Sequence, residues 1–165
     1  MFIPFNEISE NSRTWIFASE KELNEVQLNE ITLTLKTFTE NWQSHNQNVH
    51  STFQIIEKRF IVIAADGDKS DISGCGIDKS MHVMLELEQK LKLSLTNKSL
   101  LFFKQKQETI SIPLLSMKQA VLSNELSPDT LYYNTLASTI EEVKKSFCIP
   151  AQYTWLKKYF VFQTN

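Results

Sequence analysis

The chain has 165 residues, 42% of them hydrophobic and 11% aromatic, enough to bury a core as one domain without disulfide or metal staples. Nineteen acidic residues against seventeen basic ones give a formal charge of −2, which argues against a general nucleic-acid binder with its basic stripe. Lys144, Lys145, Lys157 and Lys158 are the nearest approach to a local basic patch.

The first residues, MFIPFNEISEN, carry neither a basic n-region nor a long apolar stretch, so they do not read as a secretory signal. Residues 1–12 are expected to be irregular, with Ile3, Pro4 and Phe5 tucked onto the body. Residues 13–18 (RTWIFA) are aromatic and β-branched and predict a strand. Ser19 opens S-E-K-E, a capping-box pattern in which Ser19 caps Glu22. A long helix is expected over 20–43, with Leu28, Ile31, Leu35, Phe38 and Trp42 on one face.

HNQN at 45–48 is a polar break. Residues 49–57 alternate loosely and predict a strand. Residues 59–65 (RFIVIAA) predict a third strand, nearly all apolar and so central in a sheet. A hairpin around Glu57 and Lys58 joins the two. The apolar run within it, 60–65, is the longest in the chain and too short to cross a bilayer. A second helix is expected over 77–91, with Ile77, Met81, Met84, Leu85 and Leu91 buried. LLFFK at 100–104 and TISIP at 109–113 predict two strands around the turn QKQE. A short helix covers 115–123. SPDTLYYN at 127–134 has the look of a helix start, because Pro128 fits a first helical position. A helix over 135–147 is then ended by Pro150. The tail YTWLKKYFVF is expected to pack back on the domain.

The order strand, helix, strand, strand, helix, strand is the split β-α-β pattern of a ferredoxin-like βαββαβ sandwich. The fold class expected is therefore α+β: a ferredoxin-like core over 1–113 with one extra strand, and a helical C-terminal extension over 114–165.

Chemistry-bearing residues concentrate at 66–80, DGDKSDISGCGIDKS. This stretch holds all three glycines, one of the two cysteines and four aspartates. Cys75 lies just before the second helix, where the helix dipole and free N–H groups favour thiolate. As a nucleophile it would need a base, and the candidates are His45, His50 and His82, the last seven residues further on. The structural alternative is a small residue packed in a tight turn. Asp66, Asp68, Asp71 and Asp78 offer carboxylates for proton transfer or a hard cation. The EF-hand pattern fails, because Ser70 and Asp71 stand at its fifth and sixth positions. The alternative is a solvated loop with Asp78 as helix N-cap. Ser73, Gly74, Cys75 and Gly76 can form an anion nest at the helix start, or simply a helix entry that uses glycine. The candidate catalytic residues are thus Cys75 and Asp66. The candidate ligand-binding residues are Ser73, Gly74, Gly76, Asp78 and Ser80. No metal site and no cofactor is assigned.

Taken with Ile3-Pro4-Phe5, Trp15 and the C-terminal Trp155, Leu156, Lys158, Tyr159 and Phe160, the run Ser73-Gly74-Cys75, Ile77-Asp78 and Ser80 resembles a small family of uncharacterised bacterial proteins. Their shared loop has the form SGC-ID-S, and they are often labelled "ABC transporter ATPase". The residues do not support that activity here. A Walker A loop needs G-x-x-x-x-G-K-[ST], whereas Asp68-Lys69-Ser70 and Asp78-Lys79-Ser80 place aspartate before each lysine, and LSGGQ is absent. Two function classes follow. One is a cytoplasmic protein that binds a small anionic ligand at 66–80. The other is a non-enzymatic protein–protein interaction module with a purely structural loop. The two cysteines are far apart with no CxxC, in keeping with reduced thiols in the cytoplasm.

Overall fold

The computed structural model describes residues 1–69, 72 and 74–161, the side chain of Cys75 excepted. The chain divides into two compact units. The first is Met1–Thr96 with Leu136–Glu142, and the second is Asn97–Thr135 with the segment from Val143 onward.

In the first unit β1 (Arg13–Ala18) is followed by α1 (Glu25–Asn41), a small hairpin of β2 (Gln43–Ser44) and β3 (Gln47–Asn48), then β4 (Ser51–Ile56), β5 (Phe60–Ala65) and α2 (Gly74–Leu91). The sheet order is β1-β5-β4, antiparallel throughout. Every residue of β5 is buried because both faces of the strand are covered. Ile61, Ile63 and Ala65 pack with Phe17 of β1, Ile31 and Leu35 of α1, and Met84 and Leu87 of α2. Ala64 packs on the other face with Ile8 and Ile140, flanked by Ile3 and Phe5. The hairpin expected at Glu57 and Lys58 forms. Both residues take positive φ, 52° and 51°, and the Arg59 N–H donates to the Ile56 carbonyl at 3.1 Å. That is the turn type whose twist suits a hairpin.

The start of α1 differs from expectation. Asn24, not Ser19, is the N-cap. Its Oδ1 accepts from the Gln27 N–H at 2.9 Å, and the Gln27 side chain accepts from the Asn24 N–H at 3.0 Å. The cause lies in Ser19–Leu23. The Ser19 N–H donates to the Arg59 carbonyl and the Leu23 N–H to the Lys58 carbonyl, which straps this segment to the β4–β5 turn. Buried Leu23 then packs in the same core as Leu28, a hydrophobic staple across the cap. The buried face of α1 is the expected one. Its last turn carries no basic residue. The negative end of its dipole is met instead by the Met1 ammonium, which donates to the Thr39 carbonyl at 3.2 Å.

α2 starts at Gly74, three residues before the expected start. Leu87, rather than Leu85, faces its core, and Leu85 is exposed. Two separate segments border the outer edge of β1. The Ala18 N–H donates to the Leu95 carbonyl, and the Thr14 N–H donates to the Ser138 carbonyl at 2.9 Å. An antiparallel bridge joins Arg13 to Thr139.

The second unit contains β6 (Leu100–Gln105), β7 (Glu108–Pro113), α3 (Met117–Leu122), β8 (Leu131–Tyr133), the end of α4 (Ile140–Ser146) and β9 (Cys148–Pro150). Its sheet runs β7-β6-β8-β9, over a core of Leu101, Phe103, Met117, Tyr132, Leu156 and Phe160 among others. The β6–β7 hairpin and α3 match expectation. The single four-stranded sheet of the expected sandwich does not form, because strand 100–105 pairs within this second sheet. The division at residue 113 also differs, since the chain passes to the second unit after Thr96. The C-terminal third is not simply helical. SPDT at 127–130 forms a turn, with the Thr130 N–H donating to the Ser127 carbonyl at 3.0 Å, and LYY continues as β8. Buried Tyr132 and Tyr133 favour a strand there.

Among the described residues, no helix is long and apolar enough to cross a membrane.

Candidate functional site

The described residues of the site expected at 66–80 take separate places in the local structure. Asp66, 4% exposed, closes β5. Its N–H donates to the His50 carbonyl at 2.8 Å, and its Oδ1 accepts from the Asp68 N–H at 3.0 Å. This is an Asx turn that brings the chain off the strand, so the carboxylate is already engaged. Asp68 and Lys69 are exposed. Ser70, Asp71 and Ser73, and the side chain of Cys75, lie outside the described residues. The nucleophile expected at Cys75 and the contribution of Ser73 to a nest therefore have no geometry here.

Gly74 and Gly76 lie within the first turn of α2, and no glycine takes a positive φ. A Cβ at Gly74 would meet nothing within 4 Å, and one at Gly76 would lie 3.5 Å from Ser44 Oγ and 3.6 Å from Trp42 Nε1, which is ordinary contact. Neither position requires glycine on steric grounds. Ser80 is buried, and its hydroxyl donates to the Ile77 carbonyl at 2.7 Å. It does not face solvent. Asp78 is neither in the loop nor the N-cap. It stands in the second turn of α2, exposed.

Asp78 instead joins a groove between α1 and α2, within the first unit. The groove encloses about 900 Å³. Phe38, Trp42 and Val83 form its apolar lining, and the rings of Phe38 and Trp42 stack with centroids 4.8 Å apart. The α1 wall carries Leu33, Thr37 and Asn41, and the α2 wall Asp78, His82 and Glu86. Each wall repeats at i, i+4, i+8, the spacing that keeps side chains on one helical face. His82 Nε2 pairs with Glu86 Oε1 at 3.1 Å, so the imidazole is directed along α2 and not toward Cys75. At one end the Lys79 ammonium donates to the Gln43 carbonyl at 3.0 Å, linking α2 to the chain beyond α1.

Two signals in the sequence point to this groove in retrospect. Leu33 is apolar yet lies off the buried stripe of α1, and it is 65% exposed. Asp78, His82 and Glu86 share one helical stripe. Attention to the glycines hides both. Among the described residues, no group of three or more His, Cys, Asp or Glu side chains is placed to hold a metal ion.

Comparison with family models, with curated proteins and with solved structures gave no match.

Proposed function

We propose that the first unit is a non-catalytic binding domain, whose groove between α1 and α2 takes the apolar body of a small ligand. The observation that carries this is the groove itself: an open groove of about 900 Å³ with Phe38, Trp42 and Val83 as its apolar lining and the polar side chains of α1 and α2 around them. Ligand pockets are commonly of about 300–1,000 Å³, mainly apolar, with a few placed polar groups. In this reading the stretch 66–80 is structural. Asp66 ends β5, the glycines enter α2, and Ser80 caps its own turn. An anionic ligand at 73–76 draws support only from the start of α2. The reading differs from both expectations from sequence: it moves ligand binding from 66–80 to the groove, and it keeps the structural loop of the interaction module without its protein partner. A cytoplasmic location fits two cysteines far apart in sequence with no CxxC.

We further infer that the first unit is a ferredoxin-like sandwich whose last strand is divided. Supporting this are the order β1-α1-β4-β5-α2, the sheet order β1-β5-β4, and the two segments on the outer edge of β1. Leu95 borders the end of β1 and Ser138–Thr139 its start. Together they occupy the place of an antiparallel fourth strand, interrupted by most of the second unit. Such a fold hosts many functions, so the groove and not the topology argues for binding.

The groove is tested with 2-phenylethanol as a neutral apolar probe, followed by backbone amide shifts. Shifts should concentrate at Leu33, Phe38 and Val83. Thr37→Trp, at an exposed position of α1, should fill the groove and weaken the probe by about 10-fold, a value of order one buried ring contact. Shifts elsewhere, or equal binding by Thr37→Trp, would contradict the proposal.

A further inference from the structure

Hydrogen-bonding capacity around the groove is unevenly spent. On the α1 wall the Thr37 hydroxyl donates to the Leu33 carbonyl at 3.0 Å, and the Asn41 amide donates to the Thr37 carbonyl at 2.8 Å. The Thr34 hydroxyl donates to Glu30 Oε1 at 3.4 Å, and the Gln43 amide to Asn48 Oδ1 at 3.3 Å. On the α2 wall Lys79 is drawn to the Gln43 carbonyl and His82 to Glu86. Among the described residues the buried Trp42 indole N–H has no partner, and it lies on the Gly76 side, 3.6 Å from where a Cβ at that position would stand. Each donor side chain of the groove except the Trp42 indole therefore makes a hydrogen bond within the protein, and the Lys79 ammonium at one end keeps two further N–H groups.

The acceptors are less engaged. Among the described residues the Asp78 carboxylate makes no hydrogen bond or ion pair, and Glu86 uses Oε1 alone. Asn41 Oδ1 and Gln43 Oε1 are open as well. Both carboxylates stand on the same stripe of α2 and line the groove, as does the Phe38 ring. A ligand carrying a carboxylate or phosphate would meet acceptors of its own kind. A ligand carrying N–H donors and positive charge would satisfy them, with a ring face nearby that also favours a cation.

We propose, resting on the groove reading above, that the occupant is an organic cation: a primary ammonium or guanidinium group on an apolar body. The charged group sits against Asp78, and the apolar body lies over Phe38 and Val83.

Three probes with the same ring and different heads separate the possibilities: 2-phenylethylamine, 2-phenylethanol and 3-phenylpropionate, each titrated against the full chain at neutral pH with amide-shift detection. The amine should bind about 10-fold tighter than the alcohol, in line with one charge-assisted hydrogen bond, and the carboxylate weakest of all. In Asp78→Asn, an exposed and nearly isosteric change, the amine should fall to the level of the alcohol while the alcohol is unchanged. If the carboxylate matches or exceeds the amine, or Asp78→Asn leaves the amine unaffected while the alcohol still maps to the groove, the cation assignment is wrong and the groove stands. If no probe moves the groove amides, both fall together.

Discussion

Gly76 shows how a residue that draws attention in sequence can serve packing alone. It is buried in the first turn of α2 against Ser44 and Trp42, in an ordinary helical conformation. Gly76→Ala should therefore leave the fold intact and raise stability by up to about 1 kcal/mol, because alanine loses less backbone freedom in a helix. Urea unfolding checks this, and a loss of stability would mean that the position needs glycine after all. Tyr132 makes a different residue-scale prediction. Burial raises its phenol above the ordinary 10.0, outweighing the hydrogen bonds from Trp155 and Thr135. The folded protein keeps a proton that the unfolded chain gives up from pH 10 upward. The stability this contributes is fully present below pH 10 and is lost as pH rises through the folded value. Tyr132→Phe should flatten that alkaline loss. It should also cost about 1 kcal/mol at neutral pH, since the Trp155 indole donates to the hydroxyl at 3.3 Å. Equal alkaline slopes for the two proteins would contradict the assignment.

At the scale of elements, the clearest departure from expectation is where α1 begins. S-E-K-E at Ser19 and N-E-V-Q at Asn24 are both capping patterns, and local sequence does not choose between them. Burial of Leu23 and the backbone bonds from Ser19 and Leu23 to the β4–β5 turn choose the second. Asn24→Ala should cost about 1 kcal/mol, whereas Glu22→Ala, at an exposed position, should stay within about 0.5 kcal/mol. The reverse order in thermal or urea unfolding would restore the earlier start. The elements that were legible are those fixed by neighbours in sequence. FIVIAA reads as a central strand because its apolar run is unbroken, and the turn at Glu57–Lys58 reads as a hairpin because it separates two such runs by so little. The buried stripe of α1 was equally plain from its period.

At the scale of the whole molecule, what was not legible is which strands share a sheet. LLFF at 100–103 is an unbroken apolar run as FIVIAA is, and nothing local says that it pairs with Leu131–Tyr133 and not with the edge of β1. The chain leaves the first unit after Thr96 and returns at Leu136, so the outer edge of β1 is bordered by residues far apart in sequence. The groove was hidden for the same reason. A groove made by Leu33, Phe38 and Asp78 depends on how α1 and α2 lie together on the sheet, while the glycine-bearing loop stands out in one dimension. The binding reading therefore rests on that packing. Its most direct test is the titration of 2-phenylethylamine into the native chain and into Asp78→Asn, followed at the amides of α1 and α2. The predicted result is saturable shifts at Leu33, Phe38, Asp78 and Val83, weakened about 10-fold by the substitution. An absence of shifts on α1 and α2 would contradict it, whereas shifts that saturate identically in both proteins would remove the role of Asp78 and leave the groove.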